Sequence, residues 1–561
     1  MSQGPDSRLV VHNLQQDLAA LAPLLEQQVQ RGSRLDSYLL AAAMSQIVDD
    51  YLQPEIYPLD QAVEYLDGRA PSLSWLAGRA AAGAARGSRA LRDHRPSTRP
   101  VVRWQGALAQ LVEALAGLVV APEDHTAEST RLRERCDAVV RAVDELPLRL
   151  QRGVMRVPAC FRSFDQQPAD LARLIRDFGA RWPSRRRPLL VVGVRTSGSY
   201  LAPLCAALLR ADGWEDVGVF TVRPGSRLPN RERTLVRAAA RRGGLALITD
   251  DPPGTGASIA RSARQLVLAG LDPESIVLLL QLFGRRRPSM LDHYPAVILP
   301  GDAWAIRARL DPTAVQRDLS ALLPPPASVL AVTPMPLAPP QNGRGHCRAC
   351  FRVRLRDDPT DQPRDAHVVV EGVGLGYLGA QVLAGARAAP GFSPQVFGLS
   401  GGLLYREWLP DERRVDPLDA AAARSLASAI AAYVSARRRA LPVPEDVSLR
   451  VAGQQPAWEV ASTILSRTFG RAWPLARIVL VDRTVKRLLY VEQPSVVDGG
   501  TDLGHWFSPD RSGQSVVKVQ PPDASFSSVG LSCYDAAFDL AGATARAQEG
   551  PLPRMVREAY A

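Results

Sequence analysis

Apolar residues recur at helical spacing in residues 17–29 (DLAALAPLLEQQV) and 36–52 (DSYLLAAAMSQIVDDYL), which predicts two amphipathic helices. Two further helical patterns cover about 104–120 and 129–145, so residues 1–150 read as a helical region. Between the helical patterns at 36–52 and 104–120, the stretch 70–100 is rich in Ala, Gly and Arg and ends in a loop-like RDHRPSTRP. The pattern changes near residue 155. Short continuous apolar runs at 188–194 (PLLVVGV), 217–222 (VGVFTV), 244–250 (GLALITD) and 275–283 (SIVLLLQLF) have strand length. Helical segments at 168–182, 199–213 and 258–271 separate them. Alternation of this kind predicts a parallel sheet with crossover helices over 151–322.

Seven prolines fall within 323–343. Proline removes a backbone donor and fixes φ, so this stretch reads as a semi-rigid linker rather than a helix or a central strand. A third domain follows, 344–561. The expected fold class is therefore multidomain α/β and α+β.

The 561 residues suit about three domains. The net charge is +11, almost all of it arginine, with lysine only at 486 and 518. The basic clusters (185–187, 285–287, 437–439) are short and scattered, so nucleic acid is not the expected partner. Six cysteines spread over the chain are too sparse for a disulfide scaffold. No apolar run approaches the ~20 residues of a membrane span, and the start lacks a leader pattern, so a cytoplasmic location is expected. The helical region could serve as a cap, a partner-binding unit or a dimerisation unit of a homo-oligomer. Its adjacent Asp49 and Asp50 point ~100° apart on a helix and read as a solvated edge rather than a metal site.

Candidate chemistry concentrates in two strand–loop–helix junctions. In Thr249–Ser258 (TDDPPGTGAS), Asp250 and Asp251 end a strand, where carboxylates can accept hydrogen bonds from vicinal hydroxyls. Gly254, Thr255, Gly256, Ala257 and Ser258 turn into a helix whose amides and hydroxyls can receive a phosphate. In 191–202 (VVGVRTSGSYLA), Arg195, Thr196, Ser197, Gly198 and Ser199 form a second small-residue loop.

The acidic pair, three residues, then Thr-Gly-any-Ser resembles the phosphoribosyl-pyrophosphate fingerprint of type I phosphoribosyltransferases. That resemblance implies transfer of a phosphoribosyl group from a small-molecule donor to a nitrogenous acceptor, with Mg²⁺ on the pyrophosphate. It implies roles for Asp250, Asp251 and Arg195, and pyrophosphate binding by 196–199. Arg223, Arg227, Arg231 and Arg233 would sit on a cationic closing loop. Gly254 stands where several relatives place an acid/base Asp, so a non-catalytic sensor of the same ligand is the alternative.

In the third domain, VVVEGVGLGYLG (368–379), the GLLYREWLP hinge (402–410) and YDAAFDLAG (534–542) resemble aminoglycoside-phosphotransferase-like kinases. That resemblance implies ATP near Gly372, Gly374 and Gly376, a metal at Asp535 and a supporting role for Asp539. Glu371 stands where a cation is expected, and a His-x-Asp loop is missing, with Asp498 or Asp523 as substitutes. A degenerate kinase-like fold is the expectation, an active small-molecule or protein kinase the alternative. His346–Cys350 (HCRAC) reads as a reduced strand rather than a zinc site.

Overall fold

A computed structural model describes residues 8–53, 98–122, 129–226, 228–337, 345–416, 420–444, 457–470, 487–509, 515–519, 533–545, 547 and 550–561. Of the loop expected at 92–100, residues 92–97 lie outside the described residues, as do Arg227 and Asp523, whereas 98–100 are corrected to the first turn of a helix.

Among the described residues, four long helices build the N-terminal region: α1 (Leu18–Gln30), α2 (Arg34–Leu52), α3 (Thr98–Val120) and α4 (Ser129–Arg141). Asp17 caps α1, its carboxylate accepting from the Ala20 N–H at 2.9 Å. Tyr38 to Met44 on α2 are buried without interruption, because neighbours cover this helix on all sides.

Next comes α5 (Pro168–Arg181), opened by a capping box between Gln167 and Asp170. Five parallel strands follow: β1 (Leu189–Val194), β2 (Val217–Val222), β3 (Leu245–Thr249), β4 (Ile276–Leu282) and β5 (Ala296–Pro300). Helices α6 (Gly198–Ala211), α7 (Asn230–Arg241) and α8 (Ala257–Leu268) connect the first four. The order is β2-β1-β3-β4-β5. The chain thus runs outward in opposite directions from β1 and β3, which is where open α/β sheets form a ligand crevice at their carboxyl ends. Strands β1, β3 and β4 are buried along their whole length, as continuous apolar runs should be.

After α9 (Pro312–Leu322), a five-stranded antiparallel sheet has the order β6-β7-β8-β10-β9. Its strands are β6 (Ser328–Met335), β7 (Arg348–Arg356), β8 (Arg364–Gly372), β9 (Val396–Ser400) and β10 (Leu403–Glu407), with α10 (Gly376–Arg387) between β8 and β9. The presumed linker is thereby corrected, because residues 328–335 pair with β7. Pro334 fits there because β6 is an edge strand, whose outer N–H groups have no ladder partner to lose. A final unit packs α11 (Ala420–Ala440), α12 (Ala457–Phe469), the short strands β11 (Trp506–Phe507) and β12 (Val517–Lys518), α13 (Ala537–Thr544) and α14 (Leu552–Tyr560).

One hydrophobic core runs from α1 and α2 through one face of the parallel sheet (Val191, Leu247, Val277) into the antiparallel sheet (Phe351, Val370, Tyr405). The opposite sheet face (Val192, Ile248, Leu278) packs on α7 and α8. Leu426, Ile430, Tyr433, Trp506 and Val556 form the core of the last unit. Among the described residues, no helix is long and apolar enough to cross a membrane.

Candidate functional site

The two loops singled out from sequence flank the β1/β3 switch point. Gly193 and Gly198 press backbone on backbone: a Cβ on Gly193 would lie 2.2 Å from the Gly198 carbonyl oxygen. That contact turns the chain sharply from β1 into α6, and the Arg195–Thr196 peptide within the turn is cis. Ser197, Gly198 and Ser199 are buried. Ser197 Oγ accepts from the Cys160 N–H (3.2 Å) and also bonds the Asp251 carboxyl. The structure therefore joins the two loops through Ser197 and Asp251.

Asp250 and Asp251 follow β3 directly, half-buried at the residue level. Burial pushes Asp251 up to about 7, with the Ser197 bond pulling the other way. Burial, and then the neighbouring Asp251, raises Asp250 well above the carboxylate range. Asp251 Oδ1 is buried without a hydrogen-bond partner. Beyond the pair, Gly254, Thr255 and Ser258 are exposed. Gly256 adopts φ +80°, the left-handed conformation that turns the chain into α8. Thr255 Oγ1 accepts from the Ala257 N–H at 3.3 Å. The result is a carboxyl pair beside an exposed helix N-terminus with hydroxyls at both ends of the turn.

Arg195 requires a correction. Its side chain is 1% exposed and is held by the helical region rather than presented to a ligand. Nη1 lies 3.2 Å from Asp50 Oδ1, Nε 3.0 Å from Thr221 Oγ1 and Nη2 3.2 Å from Gln53 Oε1. Arg223 makes 2.6 Å contacts to both oxygens of Asp50. Against the opposing effect of burial, Arg223 and Arg195 hold the Asp50 carboxyl below the usual range. The neighbouring Asp49 accepts from Thr221 Oγ1 at 2.8 Å and from Gln105 Nε2 at 2.7 Å. The solvated-edge reading of Asp49 and Asp50 is thus also corrected. The expected closing loop is replaced from Asn230 onward by α7, with Arg231 and Arg233 exposed on it.

The glycine pattern near 372–376 is not open to a nucleotide. The Gly372 N–H donates to Cys347 O (2.8 Å), Val373 to Gly402 O (2.9 Å) and Leu375 to Phe161 O (2.9 Å). The Tyr377 N–H donates to Asp36 Oδ1 at 2.7 Å. A Cβ on Gly372, Gly374 or Gly376 would meet Asp165, the Phe161 carbonyl or Asp36, respectively. Glycine is required because other parts of the chain pack on this loop, and phosphate would find the Gly372, Val373, Leu375 and Tyr377 amides taken. Asp165 completes the seal, accepting from the Cys347 N–H (2.7 Å) and contacting His346 Nδ1 (2.8 Å). Glu371 is paired with Arg406 at 2.8 and 3.2 Å in the buried sheet.

In the last unit, Asp535 is exposed and caps the Ala537 N–H at 2.8 Å. Among the described residues, no group of three or more His, Cys, Asp or Glu could hold a metal ion. The buried polar centre is elsewhere. Lys518 Nζ lies 2.5 Å from Asp498 Oδ1, and the Tyr433 hydroxyl donates to Asp498 Oδ2. Asp539 accepts from the Asp498 and Gly499 N–H groups at 2.8 and 2.9 Å. Burial opposes ionisation of Asp498, but Lys518 and Arg437 hold it well below the carboxylate range. Burial and the Asp498 charge push Asp539 up to about 6. An internal ammonium thus neutralises Asp498, the residue considered as a substitute in the catalytic loop.

No family model matches the chain, and no curated protein matches it. Two solved structures do. A putative fructosamine-3-kinase from Thermobifida fusca is 19% identical, covers 44% of this chain and 83% of its own, and has a TM-score of 0.28. A type VIII aminoglycoside-3'-phosphotransferase is 16% identical, covers 44% and 88%, and has a TM-score of 0.24. Both printed names belong to phosphotransferases, the class of the kinase alternative. None of the comparisons supports the expectation of a phosphoribosyltransferase using phosphoribosyl pyrophosphate, which is corrected and not carried further.

Proposed function

We propose that the carboxyl edge of the parallel sheet binds, without transfer chemistry, a phosphorylated small molecule carrying a vicinal diol, such as a nucleotide. The observation that carries this reading is the Asp250–Ser258 turn at the β1/β3 switch point. There a carboxyl oxygen, Asp251 Oδ1, is buried and unpartnered one turn from exposed donors on Thr255 and Ser258. The carboxyl pair would accept from the hydroxyls, and the start of α8 would receive the phosphate. Adenosine monophosphate should raise the melting temperature of the wild-type chain by mass action. It should not raise that of an Asp250→Asn/Asp251→Asn variant. Equal shifts in both proteins would refute the assignment.

The names of the two matched structures bring a second reading, small-molecule phosphotransfer by the C-terminal unit. Its test is ATP consumption with Mg²⁺ across a panel of amino sugars and glycated amines. Turnover that survives Asp250→Asn/Asp251→Asn would establish it.

A further inference from the structure

The antiparallel sheet buries one face and bares part of the other. Phe351, Val353 and Leu355 of β7 point into the core, so the alternate positions Arg348, Cys350, Arg352, Arg354 and Arg356 share the opposite face. Helix α10 covers the β9–β10 end of that face, where Leu399 and Leu404 pack with Ala380 and Leu383. At the β6–β7 end, Ala331, Thr333, Arg352 and Arg354 are exposed and Arg356 is half-buried. The register sets Arg352 between Thr333 of β6 and His367 of β8. The exposed His367 ring forms a T-shaped pair with Trp408, their centroids 5.8 Å apart. Glu371 is paired with Arg406 and lies 3.7 Å from Arg348, which leaves Asp365, opposite Arg354, as the exposed acid among these strand positions. Among the described residues, no carboxylate lies within ion-pair distance of Arg352, Arg354 or Arg356. Arg356 Nε is buried without a hydrogen-bond partner.

Alternate residues of a strand stand about 7 Å apart. The arginines therefore form a line of regularly stepped cations beside an aromatic pair. Stepped guanidinium groups can follow the backbone of a nucleic acid, and aromatic rings take unpaired bases by stacking. An open sheet face of this composition suits single strands, whose bases are free, rather than a duplex. A protein partner needs an apolar centre, and Ala331 and Thr333 do not supply one. The basic runs of the sequence are short and scattered, which argues against nucleic acid. A strand gathers alternate residues, however, and the interleaved RACFRVRLR hides this row from a count of consecutive charges. We propose that the β6–β7–β8 face binds single-stranded nucleic acid, with Arg352, Arg354 and Arg356 along its phosphates and His367 and Trp408 against a base. This surface belongs to the antiparallel sheet and is independent of the ligand site at the carboxyl edge of the parallel sheet.

The test is the fluorescence anisotropy of a short labelled oligothymidylate titrated with the full chain at a series of salt concentrations. Binding is expected at low salt, with a log–log salt slope of about −0.7 per neutralised phosphate. Arg352→Ala/Arg354→Ala should reduce the size of that slope by about 1.4, two contacts' worth, and weaken binding about tenfold or more. Arg133→Ala/Arg135→Ala removes the same charge from exposed positions on α4 and should leave the slope unchanged. Trp408→Leu should weaken binding about tenfold without altering the slope, because lost stacking releases no counterions. The exposed His367→Ala carries the same expectation, so a Trp408→Leu chain that fails to fold leaves the test intact. Absence of binding at low salt would overturn the proposal, as would equal losses in the two double-arginine variants. An annealed duplex held as tightly as the single strand would overturn it too. Displacement by polyglutamate as readily as by unlabelled oligonucleotide would assign the face to an acidic polypeptide instead.

Discussion

Lys518 places its ammonium 2.5 Å from Asp498 Oδ1, with each side chain 1% exposed. Removing one partner strands the other charge in the interior. Lys518→Met should cost ~3–5 kcal/mol, while Lys518→Met with Asp498→Asn should recover much of that loss. Urea midpoints of the three chains check this. A lone Lys518→Met variant as stable as wild type would show that the pair is not desolvated as described.

Asp251 offers a case in which stability and binding move in opposite directions. The folded chain keeps its proton to about pH 7, whereas an unfolded aspartate loses it near ~3.9. The folded state therefore binds more protons across that window, and its stability falls as pH rises from about 4 to about 7. Asp539, raised to about 6, adds a fall of the same sign. Asp50, held low by its arginines, contributes the reverse: stability present above ~3.9 and lost as the medium becomes more acidic. Asp251→Asn should flatten the fall, stabilise the chain at pH 8 by about 1–2 kcal/mol and abolish nucleotide binding. Denaturant titrations at a series of pH values, paired with ligand shifts, measure both effects.

Gly374 adopts φ +102° with the Phe161 carbonyl 2.9 Å from where a Cβ would stand. Gly374→Ala should therefore destabilise the chain by at least ~1 kcal/mol, through strain and through displacement of residues 161–162. Hydrogen exchange should show loss of protection at the Leu375 N–H, which donates to Phe161. A nucleotide role for the loop would instead leave stability intact and remove an ATP-dependent shift.

Asp165 is buried at φ +53° and ties His346 and Cys347 to the segment that covers the parallel sheet. Asp165→Ala leaves the Cys347 N–H without its acceptor in a buried setting, a loss of about 1–3 kcal/mol. Asp165→Asn, which keeps an acceptor oxygen, should lose less. Thermal melts of the two variants rank the effect, and identical losses would count against the amide contact as its source.

The sequence revealed β1, β3 and β4 because strands buried on both faces read as unbroken apolar runs. It hid β5, whose five residues end in proline, and β6, where Pro334 argued for a linker until the strand proved to lie at a sheet edge. Helix α7 was masked by its arginines, since it buries little beyond Val236 and Ala239. Within the candidate site, the Asp250–Ser258 turn was legible as a local pattern of turn residues between strand and helix. The Asp50–Arg195 pair was not, because partners 145 positions apart leave no periodic trace. The glycines at 372–376 misled for a related reason: close packing by distant segments and approach by a phosphate both demand a missing side chain.

Because β6 lies inside the stretch that looks like a tether, the chain offers no clean place to be cut in two there. A fragment beginning at residue 344 would leave β7 with a bare hydrogen-bonding margin, inviting self-association. The complementary fragment would expose the apolar surface of α1 and α2 and of the sheet that Phe351, Val370 and Tyr405 now cover. Dissecting this protein into separately studied pieces would therefore yield aggregation-prone halves, and its ligand chemistry is best measured on the intact polypeptide.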